Sequence, residues 1–181
     1  MDDGDELIGT AITDGNSDVM LIGSSGKTIR FNESDVRAMG RTARGVRGIK
    51  MSEHGRVISL IIPDLEKQIL TVSENGYGKR TKVGDYPVYG RGGQGVIGMQ
   101  TSERNGNVVG AVQVRDNDEI MLISDKGTLV RTRVEEVSIQ GRNTQGVRLI
   151  RLRKAEKLVG LEQVEEPEGA DTDTDEGSIA P

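Results

Sequence analysis

The sequence contains no cysteine, no tryptophan and a single histidine, His54, and only four Phe or Tyr residues: Phe31, Tyr77, Tyr86 and Tyr89. Each absence excludes a class of chemistry. Without cysteine there are no disulfides and no thiolate metal sites, which fits a reducing compartment. One histidine cannot build a histidine-based metal cluster or a Ser-His-Asp triad that recurs along the chain, and His54 falls in Glu53-His54-Gly55, an expected exposed turn. No apolar run approaches the roughly 20 residues that cross a bilayer. The start, Met1-Asp2-Asp3-Gly4-Asp5-Glu6, is acidic and lacks the apolar stretch of a secretory signal. These features predict a soluble, cytoplasmic protein with no membrane contact. With so few aromatics, its core has to come from Val, Ile, Leu and Met.

Charge is unevenly placed. Four acids stand in the first six residues, and seven more (Glu165, Glu166, Glu168, Asp171, Asp173, Asp175, Glu176) follow residue 164 with no base among them. All 24 Lys and Arg lie between, with 18 acids, so the formal net charge of −5 conceals a body, residues 7–164, of +6. One reading is a solubilising tail; the other is a polyanion-binding body whose tail competes with the polyanion. If the tail competes, deleting it tightens polyanion binding at low salt. Residues 165–181 consist mainly of Glu, Asp, Gly, Thr and Pro, too little apolar surface to offset the entropy of ordering, which predicts disorder.

The body repeats itself. Val19-Met20-Leu21-Ile22 leads into a turn at Gly26 and on to Arg30; Ile69-Leu70-Thr71-Val72 leads to Gly76 and Arg80; Ile120-Met121-Leu122-Ile123 leads to Gly127 and Arg131. The glycines are 50 and 51 residues apart. A second motif follows 14 residues later each time: Gly40-Arg41…Gly45-Val46, Gly90-Arg91…Gly95-Val96 and Gly141-Arg142…Gly146-Val147. A third element lies 17 or 18 residues before each turn glycine (Ile8-Gly9, Ile58-Ser59, Val109-Gly110) and returns as Val159-Gly160. Glycines at the turns supply positive φ for hairpins, and the near-continuous apolar runs suit strands covered on both faces. A unit of about 50 residues with four short strands matches a propeller-like blade that must stack on its neighbours. The expected fold is therefore all-β, with repeats at about 7–56, 57–107 and 108–157, each a four-stranded blade, a closing strand of a fourth at 158–164, and a disordered acidic tail at 165–181.

The repeats resemble the C-terminal domain of the bacterial DNA gyrase A subunit. The segments that carry the likeness include Met39-Gly40-Arg41-Thr42-Ala43-Arg44-Gly45-Val46-Arg47-Gly48-Ile49, Asn75-Gly76-Tyr77-Gly78-Lys79-Arg80-Thr81, Ser102-Glu103-Arg104-Asn105-Gly106-Asn107-Val108-Val109 and Gly127-Thr128-Leu129-Val130-Arg131-Thr132-Arg133. The paralogous subunit of topoisomerase IV is similar but a weaker match. The resemblance implies a β-pinwheel, a propeller-like ring whose blades lend strands to one another, with duplex DNA bent around a basic rim. It implies as partners the gyrase B subunit together with the rest of the gyrase A subunit, in a nucleoid-associated location. It also implies that the catalytic domain and the family's glycine-rich box, Gln-Arg-Arg-Gly-Gly-Lys-Gly, lie elsewhere; Tyr89-Gly90-Arg91-Gly92-Gly93-Gln94-Gly95 reads as a degenerate copy of that box.

Phosphate neutralisation by Lys and Arg supplies most duplex affinity, and the bases here recur with the repeat. Arg30, Arg80 and Arg131 end equivalent strands, and Arg41, Arg91 and Arg142 sit in equivalent glycine loops. With Arg37, Arg44, Arg47, Lys79, Lys82, Arg133 and Arg148 they form the candidate DNA-binding set. Each repeated arginine has a second reading: it pairs with an acid or packs against the next blade. No enzymatic site is expected. Tyr77 occupies a position held by Lys27 and Thr128 in the other repeats, with no aspartate cluster nearby to hold Mg²⁺. Gly92-Gly93-Gln94-Gly95 lacks the Gly-Lys-Ser/Thr ending of a P-loop. No cofactor is expected; ATP and Mg²⁺ belong to the whole enzyme the resemblance implies. A protein-interaction scaffold is the alternative, motivated by expected unpaired strand edges at residues 7–11 and Leu158–Val164.

Overall fold

The computed structural model describes residues 4–164. Eleven strands occur among them: β1 (Asp18–Gly23), β2 (Lys27–Asn32), β3 (Val57–Ile61), β4 (Gln68–Ser73), β5 (Tyr77–Lys82), β6 (Val96–Ile97), β7 (Val108–Val114), β8 (Glu119–Ser124), β9 (Leu129–Arg133), β10 (Val147–Arg148) and β11 (Leu158–Val164). Single-turn helices follow β2, β5 and β9. The fold is all-β, and the three apolar runs form the hairpins β1–β2, β4–β5 and β8–β9. Their tips fall at Gly26, Gly76 and Gly127, all with φ between 77° and 80°. At Gly26 the requirement is double, because a Cβ there would also sit 2.0 Å from the Met99 carbonyl oxygen.

Each hairpin is the centre of one sheet, and its flanking strands come from the repeat that follows. The first sheet has the order β3-β1-β2-β6, the second β10-β5-β4-β7 and the third β11-β8-β9. Each blade thus borrows from its successor, as the pinwheel likeness implied, with one full strand on one side. On the other side, in the first two sheets, it borrows a two-residue strand from the glycine loop. Two expectations are corrected here. The third sheet has three strands among the described residues, within which β9 pairs with β8 alone and a fourth strand is not present. Residues 7–11 form no strand: the edge of β1 that Ile8-Gly9 would have joined is taken by β3, and Leu7 and Ile8 are left exposed. The other expected open edge, β11, is paired with β8 on one side. The expected disordered tail, 165–181, lies outside the described residues.

Burial accounts for the apolar runs. On β4, Ile69 packs into a core with Met20, Ile22, Ile61 and Tyr86 between the first and second sheets. Its neighbour Leu70 points the other way, into a core with Ile120, Leu122, Val134 and Leu158 between the second and third. Alternate side chains of a strand face opposite sides, so a middle blade needs apolar residues at consecutive positions. Each such side chain contributes about 1.5–3 kcal/mol when fully buried. The flanking strands β3, β7 and β11 touch one another in series, forming the inner edge of the stack. The short strands β6 and β10, with the glycine loops that carry them, lie at the opposite, outer edge.

Candidate nucleic-acid interface

The glycine loops of successive repeats hydrogen-bond to one another along this outer edge. The loop at residues 90–95 meets the one at 40–50 through Gly92 N–H to the Gly48 carbonyl (2.7 Å) and Lys50 N–H to the Gly93 carbonyl (2.8 Å). The loop at 141–146 meets the end of the second through Gln100 N–H to the Thr144 carbonyl (2.9 Å). Two candidate arginines brace these junctions. Arg91 donates from Nη1 to the Arg47 carbonyl (2.5 Å) and from Nε to the Asp35 carbonyl (3.1 Å). Arg142 donates from Nη1 to the Ile97 carbonyl (3.0 Å). Arg47 and Ile97 are 50 residues apart, so the two arginines form the same strut one repeat apart. Both are half-buried, whereas their equivalent Arg41 is exposed.

The arginines that end β2 and β5 turn inward. Arg30 pairs with Asp18 (Nη2–Oδ2, 2.8 Å) and donates to the Val83 and Tyr86 carbonyls of the next repeat (3.3 Å each). Arg80 repeats the arrangement, with Nε on the Val137 carbonyl (2.6 Å), Nη1 on Gln68 Oε1 (2.9 Å) and an ion pair to Asp116. Their side chains are 10% and 7% exposed. Arg131, at the same position, pairs with Glu119 and its side chain is 51% exposed. Lys79 is fully buried; its Nζ donates to the Gly141 carbonyl (2.7 Å), to the Arg142 carbonyl and to Thr144 Oγ1 (3.1 Å). Burial, and to a lesser degree the charge of Arg142, push its pKa down to about 8. Arg30, Lys79 and Arg80 therefore hold blades together, and their side chains are not presented at the surface as their place in the candidate DNA-binding set requires.

The remaining candidates are exposed: Arg37, Arg41, Arg44, Arg47, Lys82, Arg131, Arg133 and Arg148. Arg41, Arg44 and Arg47 lie in the first of these loops with Lys50, while Arg148, on β10, and Arg151 follow the third. Arg133 is 3.7 Å from Glu135 with both side chains solvated, a pairing worth little. Arg148 donates from Nη2 to the Tyr77 hydroxyl (2.7 Å), and its guanidinium lies 5.3 Å from that ring's centroid. Arg104, absent from the candidate set, lies 4.9 Å from the same centroid. Its repeat equivalents are His54 and Ala155, so no periodic signal marks it.

A family model described as the DNA gyrase C-terminal domain, beta-propeller, matches the chain three times in succession, at residues 17–64, 67–115 and 118–165. The chain belongs to the DNA gyrase C-terminal domain family. Each gyrase unit begins at a hairpin and ends with the strand that pairs back on it, so its limits follow the sheets in space. The chain is 60% identical to the DNA gyrase A subunit of Pseudomonas aeruginosa over 99% of its own length and 20% of that protein's. It is 57% identical to the Escherichia coli subunit over 98% of its length and 20% of that protein's. The chain thus spans about a fifth of the curated relatives it matches. Among solved structures, a DNA gyrase A C-terminal domain aligns with TM-score 0.75 and 31% identity, over 82% of this chain and 50% of the other. The C-terminal domain of DNA topoisomerase IV aligns with TM-score 0.84 at 23% identity, over 91% of this chain and 52% of that one, a likeness of fold. Among the described residues, no helix is long and apolar enough to cross a membrane.

Proposed function

We propose that this gyrase C-terminal domain chain binds duplex DNA with little sequence preference and bends it along the outer edge, performing no catalysis itself. The observation that carries this reading is the row of glycine loops, joined by the Arg91 and Arg142 struts, with the exposed side chains of Arg41, Arg44, Arg47 and Lys50 in the first loop and those of Arg148 and Arg151 following the third. Glycine loops let a phosphate approach the backbone closely, and guanidinium groups spaced along an edge match a phosphate backbone that follows it. The single-turn helices are too short to lie in a major groove and read base edges, so contacts fall on phosphates, which position without specifying. Arg37, Lys82 and Arg133 add to the surrounding positive field. Within the whole enzyme the partners are the gyrase B subunit together with the remainder of the gyrase A subunit, in the bacterial cytoplasm at the nucleoid. ATP and Mg²⁺ act on those other parts.

Binding to two duplexes of unrelated sequence, followed by fluorescence anisotropy across a salt series, tests this. The expected result is equal affinity for both and a log–log salt slope of about −0.9 per phosphate neutralised. The triple variant Arg47→Gln, Lys50→Gln, Arg151→Gln flattens that slope by about 0.9 for each phosphate it no longer neutralises. A flat salt response, or no duplex binding, overturns the reading. In that case oligomers in sedimentation that are indifferent to DNA favour a scaffold joined through β9, which among the described residues pairs with β8 alone and where Leu129 is 61% exposed.

A further inference from the structure

Two cations that converge on one aromatic ring repel each other unless something anionic lies between them, and Arg104 and Arg148 do converge, at 4.9 and 5.3 Å from the Tyr77 centroid. Among the described residues neither guanidinium has a carboxylate in ion-pairing distance. The ring's negative face and the phenol oxygen, which accepts from Arg148 Nη2 at 2.7 Å, compensate part of the charge. The guanidinium donors facing the phenol, Arg104's the larger influence and then Arg148's, hold its pKa below the usual value. The arrangement is fixed from below. The hairpin tip residue Asn75 donates from Nδ2 to the Glu103 and Arg104 carbonyls (3.1 and 3.2 Å), and Arg148 stands opposite Tyr77 in the β5–β10 register. These groups, with Arg151, line a cleft of about 390 Å³ beside the β4–β5 hairpin tip and β10. Its carboxylate, Glu156, is engaged by Ser124, Thr128 and the Arg153 N–H.

We propose that the Arg104–Tyr77–Arg148 cleft is a dedicated phosphate-oxyanion site, at which one backbone phosphate of the bound duplex is gripped. This rests on the DNA-binding reading above and names the ligand of one position within it. The chemistry favours phosphate over a base. Tyr77 is 4% exposed and its ring is overlaid by the two guanidiniums, so no base can stack on it. Guanidinium forks present paired N–H donors that match phosphate oxygens. Among the described residues the site occurs once: the corresponding residues are Lys27, His54 and Ile97 one repeat earlier, and Thr128 and Ala155 in the third.

The test compares the intact chain with Arg104→Gln/Arg148→Gln and with a control pair remote from the cleft, Arg56→Gln/Arg115→Gln, in duplex affinity across a salt series. The cleft variant is expected to lose tenfold or more in affinity at low salt and at least about 0.9 of the salt slope, and the control less than threefold. Should the cleft variant fold poorly, arginine side-chain NMR of the unaltered protein reports on the same site: duplex is expected to shift the Arg104 and Arg148 signals. Inorganic phosphate is titrated in a parallel arm, and saturable shifts there without shifts from duplex assign the site to free phosphate. If neither ligand shifts the signals, or the cleft variant behaves as the control does, the oxyanion site is overturned while duplex binding stands. If the unaltered protein fails to bind duplex, the functional reading itself falls.

Discussion

At the scale of the residue, the same arginine does different work depending on what lies beside it. Arg80 reaches across to the next blade and satisfies the Val137 carbonyl from a side chain only 7% exposed, whereas Arg131 pairs with Glu119 in solvent. Removing Arg80 strands buried acceptors, each costing about 1–3 kcal/mol; removing Arg131 dissolves a surface ion pair worth about 1 kcal/mol or less. Arg80→Met is therefore expected to lower unfolding stability by about 2–4 kcal/mol, and Arg131→Met by less than about 1, as read by urea denaturation. Equal effects would refute the strut role. The same contrast separates what is legible in the sequence from what is not. The spacing of Arg30, Arg80 and Arg131 is legible, because a repeat preserves position. Their direction is not, because it depends on whether a neighbouring turn offers carbonyls. Arg104 carries no signal at all, since its place beside Tyr77 is created by the β4–β5 hairpin tip and by no period in the chain.

At the scale of the element, one position in each loop returning to the inner strand is filled by different chemistry. In the second repeat Asn105 holds that turn, accepting from Ser102 N–H (2.8 Å) and donating to the Gln100 carbonyl (2.7 Å). In the third, Glu156 stands 51 residues on and accepts from Ser124 Oγ and Thr128 Oγ1 (2.6 Å each) and from Arg153 N–H (2.9 Å). Those donors hold its carboxyl at a pKa of about 2, below the ordinary 4.5. A carboxylate with a depressed folded pKa contributes stability that is present in full above its unfolded value and is lost as pH falls through the folded one. Glu156→Gln is thus expected to lower Tm at neutral pH, with the gap closing as pH drops from about 4.5 toward about 2; a pH-independent gap in calorimetry would mean the charge is irrelevant. Hairpins and their glycine tips are readable from the 50- and 51-residue period, because they are local. The pairing of β3 is not, because periodicity marks Ile8, Ile58, Val109 and Val159 as equivalent without saying whether such a strand joins the hairpin before it or after it.

For the whole molecule, the borrowed strands and the loop struts tie each repeat to the next along two separate edges. The inner strands β3, β7 and β11 touch in series while the loops at 40–50, 90–95 and 141–146 are joined at the far side. Bases carried by those loops are thereby held at spacings set by blade packing, and on the proposed reading a duplex that follows them bends. The elastic cost of bending a short site by 40–90° is on the order of 1–6 kcal/mol, which phosphate contacts must offset. Binding and bending then become separable quantities. A duplex near one persistence length, about 150 bp, resists end-to-end ligation into a circle. The chain is expected to raise its rate of ligase-catalysed circle formation severalfold at low salt, and to lose that effect as salt weakens the contacts. Arg91→Gln with Arg142→Gln offers the sharper comparison, because these two side chains brace loop to loop and are half-buried. If the struts set the curvature, this variant loses more of the cyclisation effect than of the affinity for a short, straight duplex. Proportional loss of both would mean that the two arginines act as phosphate contacts and that any bend is set by the blades alone.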